Sequence, residues 1–510
     1  MTQQSTQAPK EEIDRLPSLV PGLDTILRGG FLQGGLYMIQ GAPGMGKTIL
    51  ANQIIYNNAT ANDHAMFVTV LGENHGRMMA HLRPMGFFNE AAVPDNITYI
   101  SGYQELESEG LKGLSTLIRK EVLAHKVKML VLDDVSAVEA KTSERYEMKR
   151  FTHEMQTLAS ATNCTMFFLT TVSGSIAGVE NTMVDGLIEL RGRFYDSRHE
   201  RRLIVHKLRG SSFLEGEHAF RITSAGVSVF PRTESLRNFH ARSSGASGVQ
   251  RSFGLASLDA MFGGGLPGGS VTMLLGGSGT GKTTLGLHFL SQSSADEPGI
   301  FFGCYEPPEQ LRWKASTIGI DLAAAEERGD LEILWNPIGE YVLDELASQL
   351  LESVRRQGTK RLVIDGIALF QEAAAEPERI TRFWSALTNE LKALGVTTLY
   401  TLELQEIAGP DLRLPLSGVA SLSEVAILMR YVELQSRLYR LISLLKIRGG
   451  AFDPTIREFT MSNTGIEVGD RFKGVDTVLS GVGRFLGDAS GGQVEDSEQT
   501  GSSGTSRRPG

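Results

Sequence analysis

The chain has 510 residues, 41% of them apolar and 21% charged, and a formal net charge of −9; one hydrophobic core does not organise that length, so two or three domains are expected. The acidic balance argues against a protein whose main task is to neutralise a phosphate backbone, and the two cysteines are too few for a disulfide framework or a metal site. No apolar run reaches the roughly eighteen residues of a membrane helix, and the opening MTQQSTQAPKEEID lacks an apolar targeting core, so a cytoplasmic location is expected.

Residues 1–13 read as a tail. The first patterned stretch, GLDTILRGGFLQGGLYMIQ, predicts a short helix with a Leu-Asp pair, a Gly-rich turn and an apolar strand. GAPGMGKT follows from Gly41 to Thr48 and opens a helix. Apolar strands are then predicted at AMFVTV, at KMLVLDD, which ends in Asp133 and Asp134, and at CTMFFLTTV, where Cys164 reads as a buried thiol. RRLIVHKLRG places Lys207 and Arg209 two residues apart, on one face of a strand. From Pro231 the sequence PRTESLRNFHARSSGASGVQRS has little periodicity and several Ser and Gly residues, and reads as an exposed linker, with the boundary at 233–250.

The same order then returns. GLASLDAMFGGGLPGGSVTMLL leads into GGSGTGKT, from Gly276 to Thr283. GIFFGCY contains Cys304, RLVIDG ends in Asp365 and Gly366, VTTLYTLEL reads as a strand, and RLISLLKIRG carries Lys446 and Arg448. Residues 488–510 are rich in Gly, Ser and charge and predict a disordered tail. Lys47 and Lys282 are 235 positions apart, Asp133 and Asp365 are 232 apart, and Lys207 and Lys446 are 239 apart. Three motifs in constant order and near-constant spacing indicate an internal duplication. Near-continuous apolar strands alternating with helices predict an α/β fold, two tandem P-loop NTPase domains over 14–232 and 251–487, each a mainly parallel sheet flanked by helices.

G-x-x-x-x-G-K-[ST] works because successive backbone N–H groups converge on a phosphate, with glycines where a Cβ would block the approach or φ must be positive. Gly41, Gly44 and Gly46, and Gly276, Gly279 and Gly281, supply these positions, and the helix that follows adds its positive end. Lys47 and Lys282 would reach the β- and γ-phosphates of ATP, and Thr48 and Thr283 would hold Mg²⁺. Asp133 and Asp365 fit the strand-end carboxylate on that ion. Asp134 is a rival, but the repeat sets Gly366 opposite it and favours Asp133. Hydrolysis also needs a base, for which Glu306 after GIFFGCY and Glu73 in FVTVLGENHG are the candidates, against the plain reading of surface glutamates. Each Lys-x-Arg-Gly by itself reads as a solvated edge; its recurrence at equivalent places favours a phosphate partner, such as a neighbouring subunit's nucleotide.

The ordered set of GLD, P-loop, strand-end Asp, KLRG with EGEHAFRITSAGVSVFPR, and a second copy ending KIRGGAFDPTIREFTMSNTGIEV resembles the KaiC family, double-domain RecA-like ATPases and autokinases, over roughly residues 14 to 488. The resemblance implies a double-ringed homohexamer with ATP between subunits, Lys207, Arg209, Lys446 and Arg448 reaching the neighbour's triphosphate, slow hydrolysis in the first domain and phosphoryl transfer in the second. A protein signalling partner is implied, nucleic acid and membrane partners are not, and the unlike tail does not imply timekeeping. Active members carry two adjacent glutamates after the second strand. Tyr305-Glu306-Pro307 keeps one, and Leu71-Gly72-Glu73 matches only with a one-residue shift. Counting back from KIRG places Ala420 and Ser421 on the family's Ser-Thr acceptor pair, leaving Ser421 as the phosphoacceptor, with Ser417 and Ser423 nearby. Two other classes compete: a RecA-like DNA-dependent ATPase, which the acidic charge disfavours, and a nucleotide-gated scaffold with little turnover, which the incomplete glutamate pairs favour.

Overall fold

The computed structural model describes residues 14–70, 75–136, 138, 145–171, 183–195, 197–236, 248–337, 339, 341–404, 422–434, 436–448, 452–472, 475–476 and 484–485. The N-terminal tail, the greater part of the linker and the C-terminal tail beyond residue 487 lie outside them, as do Glu73 and Ser421.

The first sheet contains β1 (Leu36–Gly41), β2 (Ala65–Thr69), β3 (Ile97–Ser101), β4 (Met129–Asp133), β5 (Thr165–Thr170), β6 (Gly186–Tyr195), β7 (Arg198–Leu208), β8 (Glu217–Thr223) and β9 (Gly226–Phe230). Its order is β3-β2-β4-β5-β1-β6-β7-β8-β9. The six strands from β3 to β6 are parallel, and β7, β8 and β9 add antiparallel. Parallel strands are apolar on both faces because helices cover both. Thus Tyr37 and Ile39 of β1 pack with Leu50, Ile54 and Ile55 of helix α1 (Lys47–Asn58). Leu36 and Met38 face the other way, onto Ile118 and Val122 of α2 (Tyr103–His125) and Phe151 and Met155 of α3 (Arg145–Thr162).

The second sheet repeats the plan. Its strands are β10 (Val271–Gly276), β11 (Gly299–Gly303), β12 (Leu331–Trp335), β13 (Arg361–Asp365), β14 (Thr397–Glu403), β15 (Val425–Leu434), β16 (Arg437–Ile447), β17 (Arg457–Ser462) and β18 (Gly465–Arg471). They run in the order β12-β11-β13-β14-β10-β15-β16-β17-β18, which is the first order with nine added to every strand. One face packs on Leu285 and Phe289 of α4 (Lys282–Ser291). The other packs on α6 (Leu343–Gln357) and α7 (Ile380–Ala393), where Trp384 is fully buried; a shorter helix, α5 (Pro308–Ser316), follows β11. Fully burying one such large apolar side chain contributes about 2–3 kcal/mol. The fold is therefore the expected pair of RecA-like domains. Both cysteines are buried, and burial pushes their thiols up to about 12.

At the start of the stretch from Pro231 the described residues differ from the expectation. An exposed linker was expected there, yet Thr233 is buried, and Thr233–Ser235 forms a 3₁₀ turn docked against the second domain. Thr233 donates through its N–H and its hydroxyl to Asp344 Oδ1, both at 3.0 Å. Arg379 grips Glu234 with Nε and Nη2 at 2.9 and 2.8 Å and also donates to Asp344. Burial pushes the Asp344 carboxyl up, and the Arg379 guanidinium opposes this. Composition suggested a solvated segment; charge pairing inside the second domain overrode it. Further contacts join the halves, among them Arg221 to Glu345 at 2.7 Å, Tyr195 to Glu376 at 2.8 Å and Arg193 to Glu376 at 3.3 Å.

Arg379→Met leaves two acidic groups buried around one missing cation, which costs about 3–5 kcal/mol. Calorimetry should show the unfolding midpoint at least about 6 °C lower; an unchanged midpoint would contradict the role of this network. His218 supplies a pH test. Its Nδ1 accepts from the Arg232 N–H, so Nε2 carries the proton donated to Leu214 O. Burial lowers its pKa to about 4, while the unfolded value is about 6.5. Between those values the unfolded chain binds a proton that the folded chain refuses, so stability is present above about pH 6.5 and falls by about 1.4 kcal/mol per unit below it. Denaturation from pH 7 to 5 should show this slope, and His218→Gln should flatten it.

Candidate functional site

Each P-loop turns from a buried strand directly into a helix. Gly46 and Gly281 stand at the N-caps of α1 and α4 with φ of 98° and 104°, a left-handed conformation open to glycine. A Cβ on Gly46 would lie 2.4 Å from Ile222 Cδ1 of β8, and one on Gly281 would lie 2.9 Å from Met461 Sδ of β17. The antiparallel extension of each sheet thus backs its own P-loop. Gly44 and Gly279 also have positive φ, and the Tyr431 hydroxyl donates to Gly279 O at 2.7 Å.

Lys47 Nζ donates to Gly41 O and Ala42 O at 2.7 and 3.3 Å. Lys282 Nζ makes the same pair with Gly276 O and Gly277 O at 3.0 and 2.8 Å. Burial pushes both ammonium groups below the ordinary lysine value; Asp134 and Asp133 pull Lys47 back, and Glu403 and Asp365 pull Lys282 back. Thr48 Oγ1 donates to Asp133 Oδ2 at 2.9 Å, and Thr283 Oγ1 donates to Asp365 Oδ2 at 2.8 Å. The expected lysine, hydroxyl and carboxylate therefore converge twice in one geometry.

The two sites differ in their second carboxylate. Asp134 follows Asp133 and accepts from Thr171 Oγ1 at 3.0 Å. In the second domain Gly366 replaces Asp134, Thr401 Oγ1 donates to Asp365 Oδ1 at 2.8 Å, and Glu403 stands at the end of β14. Burial pushes the Asp365 carboxyl up, opposed by the bonds from Thr401 and Thr283. Around this site lies a cavity of about 850 Å³ lined by Lys282, Thr283, Glu306, Lys314, Asp365, Gln371 and Glu403, among others. Glu306 is there as expected, but its Oε1 is held by Lys314 Nζ of α5 at 2.7 Å. Lys314, Thr401 and Glu403 were missed in the sequence because each lies within a helix or strand and none belongs to a motif.

The Lys-x-Arg-Gly residues lie elsewhere. Lys446 pairs in register with Ala426 and Lys207 with Leu187, near the starts of β15 and β6. The P-loops lie at the opposite ends of the neighbouring parallel strands, on the order of 10–15 Å away along the sheet. Lys446 Nζ donates to Ser423 O at 2.6 Å, and Arg209 Nη1 is 3.5 Å from Asp185 Oδ1. The strands stop at Leu208 and Ile447, so Arg209 and Arg448 stand in the following turns rather than on the strand face, their N–H groups bonded to Asp185 O and Glu424 O. Among the alternative acceptors, Ser423 is fully buried.

No group of three or more His, Cys, Asp or Glu fit for a metal occurs among the described residues. Nor is any described helix long and apolar enough to cross a membrane. A family model described as "ATPase: KaiC" matches residues 16–234 and again 252–473. The circadian clock oscillator protein KaiC of Parathermosynechococcus lividus is 27% identical over 91% of this chain and 86% of its own length. KaiC 1 of Synechocystis sp. is 26% identical over 93% and 92%, and KaiC of Synechococcus elongatus is 26% identical over 94% of each. Two matches that together span most of the chain, each containing one of the two P-loops, place it: the chain belongs to the KaiC family of ATPases.

Proposed function

We propose that both domains bind ATP with Mg²⁺ and hydrolyse it, and that the chain assembles into a homohexameric ring with nucleotide between its subunits. The observation that carries the reading is the twice-repeated placement of a lysine, a threonine hydroxyl and a strand-end carboxylate around one glycine-lined turn. The oxygen donors of Thr48 with Asp133, and of Thr283 with Asp365, suit a hard divalent ion whose remaining ligands are phosphate oxygens and water. A Mg²⁺ ion held by these oxygens would offset the negative charge of the phosphates. Lys47 and Lys282 would leave their carbonyl partners for the phosphates, and the glycine amides would close around the anion.

The position of Lys207, Arg209, Lys446 and Arg448 supports the ring. They stand a sheet-length from their own P-loops, so they serve a triphosphate only when another subunit presents it. Autophosphorylation on Ser421 is the finer part of the proposal; it rests on the family resemblance, since Ser421 lies outside the described residues.

Lys47→Ala and Lys282→Ala should each remove one nucleotide site and weaken binding there by about 10- to 100-fold, the worth of a charge-assisted bond, as titration with a fluorescent ATP analogue would show. Light scattering should find a ring with ATP that Lys446→Ala with Arg448→Ala weakens; an ATP-independent monomer would end the ring proposal. Incubation with γ-labelled ATP followed by phosphopeptide mapping tests the kinase. Label within residues 415–425 that disappears in Ser421→Ala is expected, and no label there removes that part of the reading.

A further inference from the structure

The second-domain cavity contains a carboxylate that neither the P-loop motif nor the strand-end aspartate accounts for. Glu403 is the last residue of β14 and pairs in register with Gly276, the residue that opens the P-loop. Side chains alternate along a strand, so Leu399, Thr401 and Glu403 share one face. Leu399 packs in the cluster with Leu285 and Phe289 of α4, and Thr401 bonds Asp365. That face is the one carrying the P-loop helix and the strand-end carboxylate. Glu403 extends it past the edge of the core, is exposed, and lines the cavity with Lys282, Thr283 and Asp365. Among the described residues its carboxylate makes no hydrogen bond or ion pair.

Glu306 presents a different surface to the same cavity. Its Oε1 is occupied by the Lys314 ammonium, and its Oε2 is buried without a partner among the described residues. Neither oxygen is offered to a water until that ion pair opens. The first domain has no counterpart of Glu403. The matching register position is Thr171, whose hydroxyl is committed to Asp134.

We infer that Glu403 is the catalytic residue that holds and deprotonates the attacking water in the second-domain site. The inference rests on the reading of that site as an ATPase and names its base. One water O–H gives its proton to the Glu403 carboxylate while the water oxygen bonds the γ-phosphorus. The bond from the γ-phosphorus to the β,γ-bridging oxygen breaks, and its electron pair leaves with ADP. Glu403 then returns the proton to the released phosphate or to solvent. The positive charge of Lys282, which Glu403 and Asp365 both favour, reduces the repulsion between the carboxylate and the triphosphate in this cavity. The Glu306–Lys314 pair forms part of the cavity wall.

The test uses the full chain carrying Lys47→Ala, which confines turnover to the second domain. Phosphate release is measured against pH in this background and with Glu403→Gln, Glu403→Asp, Glu306→Gln or Lys282→Ala added; binding of a fluorescent ADP analogue is titrated in parallel. Loss of a positioned general base lowers kcat by about 100-fold or more. Glu403→Gln should show that loss, keep KM and ADP affinity within about threefold, and erase the acid limb of the kcat profile, because binding and proton removal are separate contributions. Glu403→Asp should recover part of the rate. If Glu403→Gln keeps kcat within a factor of about two, or if the acid limb survives there and vanishes in Glu306→Gln, the inference is overturned. A Lys282→Ala chain without turnover beside an unaffected Glu403→Gln chain overturns the role of Glu403 alone. A parent that binds nucleotide but releases no phosphate, or whose rate Lys282→Ala leaves unchanged, overturns the ATPase reading and the inference with it.

Discussion

Backbone amides converge on a phosphate where the chain changes hand between a strand and a helix, and the rest of this molecule is arranged around two such places. Gly46 and Gly281 adopt the left-handed conformation at the first turn of α1 and α4. For the amides behind them to point inward, the preceding strand must be fixed on both sides. Parallel pairing of β1 with β5 and β6, and of β10 with β14 and β15, does this. Pairing of β4 with β5, and of β13 with β14, then carries Asp133 and Asp365 to strand ends one strand away from the P-loop strand. Two buried faces per sheet then require helices above and below, so the nucleotide geometry and the layered core are one constraint seen at two scales.

Much of this was legible in the sequence because it is local or repeated. Eight residues specify each P-loop, and the constant offset identified Asp133 over Asp134 as the partner of Thr48. Strands such as Thr165–Thr170 and Thr397–Glu403 lie where the apolar runs placed them. What the sequence withheld depends on register and on distant charges. Glu403 reads as the polar end of a strand until Gly276 is set opposite it. Glu306 reads as a free carboxylate until α5 returns Lys314 to it. Thr233 and Glu234 belong to a stretch whose Ser and Gly content suggests solvent, and only Arg379 and Asp344, more than a hundred residues on, show why they are buried.

The duplication has kept the scaffold and exchanged the charges. Leu169 of β5 corresponds to Thr401 of β14 and Thr171 to Glu403, while Asp134 corresponds to Gly366. Each site thus retains two carboxylates near its lysine but draws the second from a different strand. In the first domain it adjoins Asp133 and is tied to a hydroxyl; in the second it stands across the P-loop from Asp365. Different placements of the second carboxylate are compatible with one topology because strand ends can be altered without disturbing the core.

Neighbouring residues of a strand point to opposite sides, and in β8 that alternation has a mechanical result. Ile222 rests against the turn at Gly46, and Arg221 reaches across to Glu345 on the first turn of α6. The counterpart pair in β17 is Met461, against Gly281, and Thr460, which is exposed to solvent. The first phosphate cradle is therefore tied to the other half of its own chain through neighbouring residues of one strand, whereas at the second the corresponding residue faces solvent.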